Sequence, residues 1–328
     1  MSKYMSDQNQ LCFIYESGTY GSAIAAGSRH WIGLVQEHTI DENMNVIPIR
    51  YQGSTDRNVD MFEDGNLDVT GTYSYFPQDW KQLGFAIGSV SDCPSFAGTG
   101  SHVMSETNSD DQSNTAVGQI LNSFVLEDSK NNGTAGSNFV RTSSGCMIDS
   151  MTTTWSQGEP VSCEVNYMAQ SVVFASGAVV AVTPTTTRPF MSNKSLLQIP
   201  SGTTIDNAAD FAFTVNNNLE AGHYVNGSRV IQEPLPVNRD YELTATVKMD
   251  SANAKTFYEN YFLGGSEFNA MIQSIGAGGS LFVVMSGCTM TDMETPSPVE
   301  GTQDQTLTIT PAHVEVTVED AIAQYTAW

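Results

Sequence analysis

The chain has 328 residues, of which 40% are hydrophobic and 15% charged, enough for one large β domain or two of ordinary size and too apolar for a disordered chain. Its formal net charge is −23, with 13 Lys and Arg against 36 Asp and Glu. That balance excludes holding nucleic acid by phosphate neutralisation, because the field of the protein repels phosphate. Three readings of the acidity stay open: adaptation to high salt, plain solubility, or a coating past which a polyanion slides without sticking. The five cysteines are odd in number and include no C-x-x-C pair, so buried free thiols are expected rather than a disulfide framework. The apolar run "SVVFASGAVVAV" (171–182) is too short to cross a membrane, and MSKYMSDQNQ lacks the apolar core of a signal. Synthesis in a cytoplasm without export is the expectation.

Residues 1–37 include "ESGTYGSAIAAGSRHWIG", rich in Gly, Ser and Ala and without a period, and read as an N-terminal arm with short ordered pieces. "NVIPIRYQG" (45–53) reads as a strand, and "LDVTGTYSYF" (67–76) alternates as a half-buried strand should. Pro77 suits a first helical turn. Over Pro77–Ala86 and the residue beyond, Trp80, Leu83, Gly84 and Ile87 form one stripe that Gly88 ends. The segment from about 90 to 123 is polar and turn-rich, the composition of a surface insertion. "GCMIDSMTTTW" (145–155) and "PVSCEVNYMAQ" (160–170) form a strand pair around the turn "SQGEP". Farther on come a strand "SRVIQEPLP" (228–236), a second alternating strand "YELTATVKM" (241–249) and a second helix over Ala252–Phe262. Phe257 and Tyr261 form that helix's stripe, and Gly264-Gly265 its stop. Then "GCTMTDMET" (287–295) and "QTLTITPAHVEVTV" (305–318) form another strand pair.

These elements recur in order. "TIDENM" at Thr39 matches "TVNNNL" at Thr214 with an offset of 175, and the two alternating strands and Lys81/Lys255 match at 174. "SGCMIDSM" and "SGCTMTDM" match at 142, so a single insertion near Val90–Ser123 in the first copy accounts for the drop of 32. The expectation is a mainly β chain of two tandem, similar β-sandwich or barrel units, each with a flanking α-helix. The first spans 38–185 with the surface insertion at about 90–123, and the second spans 186–328.

Chemistry finds little purchase. His30, His38, His102, His223 and His313 show no metal-ligand spacing, and the acidic stretches "SETNSDDQ" and "IDEN" lack a calcium-loop pattern. No nucleophile elbow, Walker motif or dinucleotide fingerprint is present, and "GAGGS" (276–280) is not followed by the helix a phosphate cradle needs. Tyr73, Tyr75, Phe76 and Trp80 lack basic neighbours and read as packing. The reading assigns no catalytic, cofactor-binding or metal residue and no cofactor. A unit with strand edges and no chemistry exists to touch its own copies or a partner.

With "DVTGTYSYFPQDWKQLGFAIGS", the paired "GC" strands and the doubled strand-plus-helix unit, the chain resembles the tail tube (major tail) proteins of tailed phages and their archaeal virus relatives, from about Thr39 to Trp328. The resemblance implies a non-enzymatic virion protein, made in the host cytoplasm, whose subunits close into rings that stack into a tube conducting double-stranded DNA without binding it specifically. A doubled unit implies a homotrimeric ring of pseudo-sixfold symmetry, against six chains for single-unit members, with other tail proteins as further partners and no membrane. Positions on "PVSCEVNYMAQ" and "QTLTITPAHVEVTV" are the expected lumen or ring-interface residues. Alternatives are another virion component (baseplate, terminator or decoration protein) or a carbohydrate-binding adhesin sandwich.

Overall fold

The computed structural model describes residues 9–16, 20–21, 29–51, 58–93, 100–106, 121–131, 138–176, 182–249, 253–295 and 303–322. Strands β1 (Asn9–Tyr15) and β2 (Arg29–Trp31) precede β3 (Leu34–Asn43). A short hairpin of β4 (Ile47–Ile49) and β5 (Met61–Glu63) leads to β6 (Asp68–Phe76), helix α1 (Lys81–Ile87) and a second hairpin, β7 (Gly88–Cys93) with β8 (Gly100–Glu106). Strands β9 (Phe124–Lys130), β10 (Phe139–Ser156), β11 (Ser162–Ala169) and β12 (Ser171–Ala175) follow. Next come β13 (Ser195–Gln198), β14 (Ala208–Asn216), the small pair β15 (Leu219–Glu220) and β16 (Leu235–Pro236), and β17 (Asp240–Lys248). Helix α2 (Asn253–Thr256) continues as a π-helix over Phe257–Leu263, and β18 (Phe268–Gly276), β19 (Gly279–Glu294), β20 (Asp304–Thr310) and β21 (His313–Asp320) finish the chain.

Every ladder between these strands is antiparallel. One sheet runs β3–β6–β11–β10–β14–β17–β20–β19, eight strands without closure. Two long strands are shared with a second layer. Phe139–Cys146 of β10 pairs with β9, and β12 lies on its other side, whereas Met147–Ser156 pairs with β11 and β14. Gly279–Cys288 of β19 pairs with β18, and β21 lies on its other side, whereas Thr289–Glu294 pairs with β20. The second layer is therefore β2–β1–β9–β10–β12 beside β13–β18–β19–β21–β8–β7. Gly145 and Gly287, the glycines of the two "GC" motifs, sit where each long strand changes sheet, at φ +67° and +60°. An L side chain is strained there, and a Cβ on Gly145 would lie 2.8 Å from the Tyr20 ring.

Alternation fills the space between the layers. Tyr73, Tyr75, Cys163, Val165, Tyr167, Met151, Trp155, Phe213, Val215, Leu243, Leu307 and Ile309 all point inward from the eight-stranded sheet and are buried in one continuous core. Trp80, at the entry to α1, is buried against Phe190, with ring centroids 5.0 Å apart, and Tyr73 donates to Gln82 of the helix at 2.7 Å. Helix α1 begins four residues after Pro77, later than expected. Gln78 is drawn off to the carbonyls of Thr185 and Thr187, and the Asp79 carboxylate accepts the Lys81 amide.

Matching ladders recur in the two halves. The bulge between Ile148 and Ser150 on β10 and that between Met290 and Asp292 on β19 stand 142 residues apart, the offset of the GC motifs. Asn45 and Asn218, at φ 44° and 45°, make the same turn. Each donates its backbone N–H to the side-chain oxygen two residues earlier (Asn43, Asn216) and its side-chain amide to a carbonyl (Asn66, Asn238) and a carboxylate (Asp68, Asp240). Those motifs stand 173 and 172 residues apart, two fewer than the sequence register, so the structural counterpart of Thr39 is Ala212 rather than Thr214. A slip of two leaves the in-and-out alternation intact and is invisible to it.

Two expectations need correcting and one gains detail. The short ordered pieces of the N-terminal arm include β1, whose residues Leu11–Tyr15 are buried and whose ladder with β9 is continuous from Asn9 to Tyr15. Residues 1–8, 17–19 and 22–28 of that arm lie outside the described residues. The strands expected over 45–53 and 228–236 shrink to the three-residue β4 and the two-residue β16. The insertion near 90–123 is more than a surface loop: β8 adds to the edge of β21 from Gly100↔Asp320 to Ser105↔Glu315. His102 and Met104 on β8 are fully buried, and the His102 ring lies 2.6 Å from the Asp92 carboxylate and 3.3 Å from that of Asp320. Residues 94–99 and 107–120 of the insertion lie outside the described residues.

Deleting residues 97–106 removes two ladders, those of β8 with β21 and with β7, and two buried side chains, a loss of several kcal/mol. The expected outcome is a melting midpoint lower by about 10 °C, or loss of the cooperative transition, followed by circular dichroism. An unchanged midpoint would mean β8 is dispensable.

Candidate functional surface

The outward face of the eight-stranded sheet is built in rows, because directly paired residues share a face. One row reads Glu37, Ser74, Glu164, Thr152, Thr214, Glu242. The next reads Thr39, Thr72, Asn166, Ser150, Asn216, Asp240, and a third Thr154, Ala212, Thr244, Thr308, Asp292. Hydroxyl pairs tie neighbours in these rows: Thr39 with Thr72 at 2.8 Å, Thr152 with Thr214 at 3.1 Å, and Asn166 donating to Ser150 at 2.9 Å. With Asp41, Asp210 and Glu294, which alternate onto the same side, the face is a hydroxyl lawn studded with carboxylates. Among the described residues of these eight strands Lys248 is its one cation, at the end of β17. No aromatic side chain stands in the three rows.

The expected interface segments divide. Ser162–Ala169 and Asp304–Thr310 are interior strands of this sheet and supply Glu164, Asn166, Thr306 and Thr308 to its face. His313–Asp320 belongs to the other layer, between β19 and β8. Sequence reading missed that the two strands at the ends are β3 and the last part of β19, each paired within the chain along one side. Along Leu34–Asn43 the burial is shallow, and Thr289, Thr291, Asp292 and Glu294 are exposed.

Where the halves meet inside the chain, β10 pairs with β14 from Ser150↔Asn216 to Ser156↔Asp210. This seam is polar at its rim. Asn217 donates to the carbonyls of Ala86 at 3.0 Å and Ile148 at 2.9 Å, and Arg239 donates to that of Ile87 at 2.7 Å, so the second half caps the end of α1. Arg229 pairs with Asp64 at 2.9 Å and His223 with Asp68 at 2.6 Å, which holds the Asp68 carboxyl below its usual range. Leu219 is buried with Leu121 and Met147.

Elsewhere the charged groups are structural. Arg29 clasps Glu127 with both ends of its fork, at 3.0 and 2.7 Å, across β2 and β9. Cys12, Cys146, Cys163 and Cys288 are buried free thiols, and burial pushes Cys12 and Cys163 up to about 12, far from the thiolate a nucleophile needs. A hollow of about 330 Å³ between Trp155 and Leu197 holds Asp206 as its one ionisable residue. Among the described residues no cluster of three His, Cys, Asp or Glu side chains is arranged for a metal ion.

A family model described as "Phage tail tube protein" matches residues 52–319. No curated protein matches the chain. Among solved structures, the virion of a native gene transfer agent particle contains a chain 13% identical, with a TM-score of 0.31, covering 37% of this chain and 92% of its own. The SPP1 tail tube is 11% identical, with a TM-score of 0.31, covering 42% of this chain and 82% of its own.

His38 lies on the inward side of β3, 3.3 Å from the Tyr167 hydroxyl. Burial lowers its pKa from 6.5 to about 4, Arg141 and Lys130 push the same way, and Asp128 opposes. The folded protein thus takes up this proton less readily than the unfolded chain. The stability involved is complete above pH 6.5 and drains away as the pH falls towards 4. His38→Gln, which has no such proton to take up, should be about 2 kcal/mol less weakened than the parent between pH 7 and 4.5 in urea melts. Parallel losses in the two proteins would show that His38 charges freely in the fold.

Proposed function

The chain belongs to the phage tail tube protein family and is a structural component of a virion tail, and on that premise we propose that three copies close into one ring of the tube. The single observation carrying this is the pair of end strands. Inside the chain, β10 of the first half is sealed by β14 of the second. One unit farther on, the counterpart of β10 is β19 and the counterpart of β14 is β3, and these are the two ends of the eight-stranded sheet. We read the halves as copies of one unit, fused so that a chain supplies two of six staves. Repeating the β10–β14 register between chains sets Asp292 opposite Asn43 and Met293 opposite Glu42 of the next chain. Three sheets of eight strands then form a barrel about 48 Å across at the backbone, from strand spacing and ordinary tilt, with no lateral edge left open.

In that ring the hydroxyl-and-carboxylate face lines the bore. Its mechanism is physical: a double helix passing through meets fixed negative charge and short hydroxyls, without cations to form deep wells on phosphate. Rings stack into a tube and dock on other tail proteins, in a virion assembled in the host cytoplasm. The proposal involves no catalytic residue, cofactor or metal, and no specific recognition of DNA. Aromatic stripes that a carbohydrate-binding sandwich would display are missing from the three rows of this face.

A short bis-maleimide applied to the Asn43→Cys/Asp292→Cys double variant should give covalent species stopping at three chains on denaturing gels, while each single variant stays monomeric. A ladder continuing to six, or no linkage, would overturn the three-chain ring. For the bore, wild-type tubes should not retain duplex DNA at low salt, whereas Glu164→Lys/Glu242→Lys tubes should retain it and release it as salt rises. Wild-type tubes that hold DNA equally well would refute the repulsive lining.

A further inference from the structure

The seam within the chain has counterparts on the chain's two outer ends, where Val46 keeps the apolar character of Leu219 and the other positions change in kind. Asn217 and Leu219, the residues of the second half that plug into the first, are 0% and 7% exposed. Their counterparts 173 residues earlier are Met44 and Val46, which are 55% and 48% exposed. The receiving side changes likewise. Helix α1 ends on carbonyls capped from the second half, but the π-helix caps itself, with Gly264 donating to Glu259 and Ser266 to Asn260. Leu263, the last residue of the π-helix, is 64% exposed. Gly65, whose carbonyl accepts Arg229, has as its counterpart Val237, 58% exposed.

From this we infer that the between-chain seam reuses the backbone geometry of the within-chain seam but is sealed by apolar side chains, Met44 and Val46 of one chain closing over Leu263 and Val237 of the next. The occupant of each patch is a second copy of this chain. The two patches lie at opposite ends of one sheet, so a chain cannot satisfy both by itself, and contact runs head to tail. Met44 and Val46, exposed apolar groups at positions that are buried in the internal copy of the same contact, are what such a contact requires. Inside the chain, where the partner is covalently tethered, polar capping and the small cluster around Leu219 suffice. An association between separate molecules must also overcome lost translational and rotational freedom, and burial of apolar surface supplies that drive. The inference rests on the ring reading above and adds what holds the ring shut.

The test uses the full chain. Met44→Asp and Leu263→Asp each place a carboxylate in the proposed contact at an exposed position, so each monomer should keep its near-ultraviolet dichroism and melting midpoint. Each is expected to reduce sedimentable rings more than tenfold, whereas Arg229→Ala, in the within-chain seam, should assemble as wild type does. If Met44→Asp and Leu263→Asp both form rings at wild-type yield, the apolar seam is wrong while the ring stands. If wild-type protein itself forms no ring, the reading beneath it has failed. Should either aspartate variant lose its fold, Val46→Lys and Val237→Lys test the same contact from neighbouring positions, and wild-type ring yields from both would overturn it.

Discussion

Two strands that each belong to two sheets hold this molecule together. A β-strand keeps one set of side chains on one face, so joining two layers demands a local break in its path. Gly145 and Gly287 supply it, in a backbone conformation that other residues enter only with strain. Without the bend, β10 could not serve both β9 and β11, and the eight-stranded sheet would be cut at its middle. The same failure in β19 would remove its outer end. The layers, the enclosed core and the position of both end strands follow from these two breaks.

Given the bend, the chemistry of the large sheet follows from alternation. Tyrosines, tryptophan and aliphatic side chains turn inward, so the outward positions fall to threonine, serine, asparagine and carboxylates. Threonine suits this place because its branched carbon favours the strand while its hydroxyl bonds a cross-strand neighbour. The resulting face is stiff and polar. Most basic groups are committed elsewhere: Arg29 to Glu127, Arg141 to Asp128, Arg239 to the end of α1. The shortage of cations on this face is therefore spatial as well as compositional.

Much of this was legible in the sequence, and the failures are instructive. Alternating stretches such as "LDVTGTYSYF" and "YELTATVKM" gave their strands, and each "GC" gave a matched landmark, since glycine at a left-handed break is hard to replace. Matching threonines to threonines sets the two halves two residues off the register in which their Asn turns align, and a shift of two preserves every inward position. By its sequence, strand β8 reads as loop because "GSHVMSE" is short, polar and flanked by turn residues; its burial comes from β21, more than two hundred residues away. Strand β1 was obscured by the Gly- and Ser-rich stretch after it. The end strands could not be read at all, because being an end depends on what lies beside a strand in space.

The His102 staple bears on synthesis. Strand β8 is synthesised more than two hundred residues before β21, the strand it pairs with, and before the Asp320 carboxylate. A chain halted before that point leaves the imidazole and its neighbours without their lid, and half of the outer layer unfinished. Closing this part of the outer layer therefore waits on two segments more than two hundred residues apart, a contact of long range in the chain.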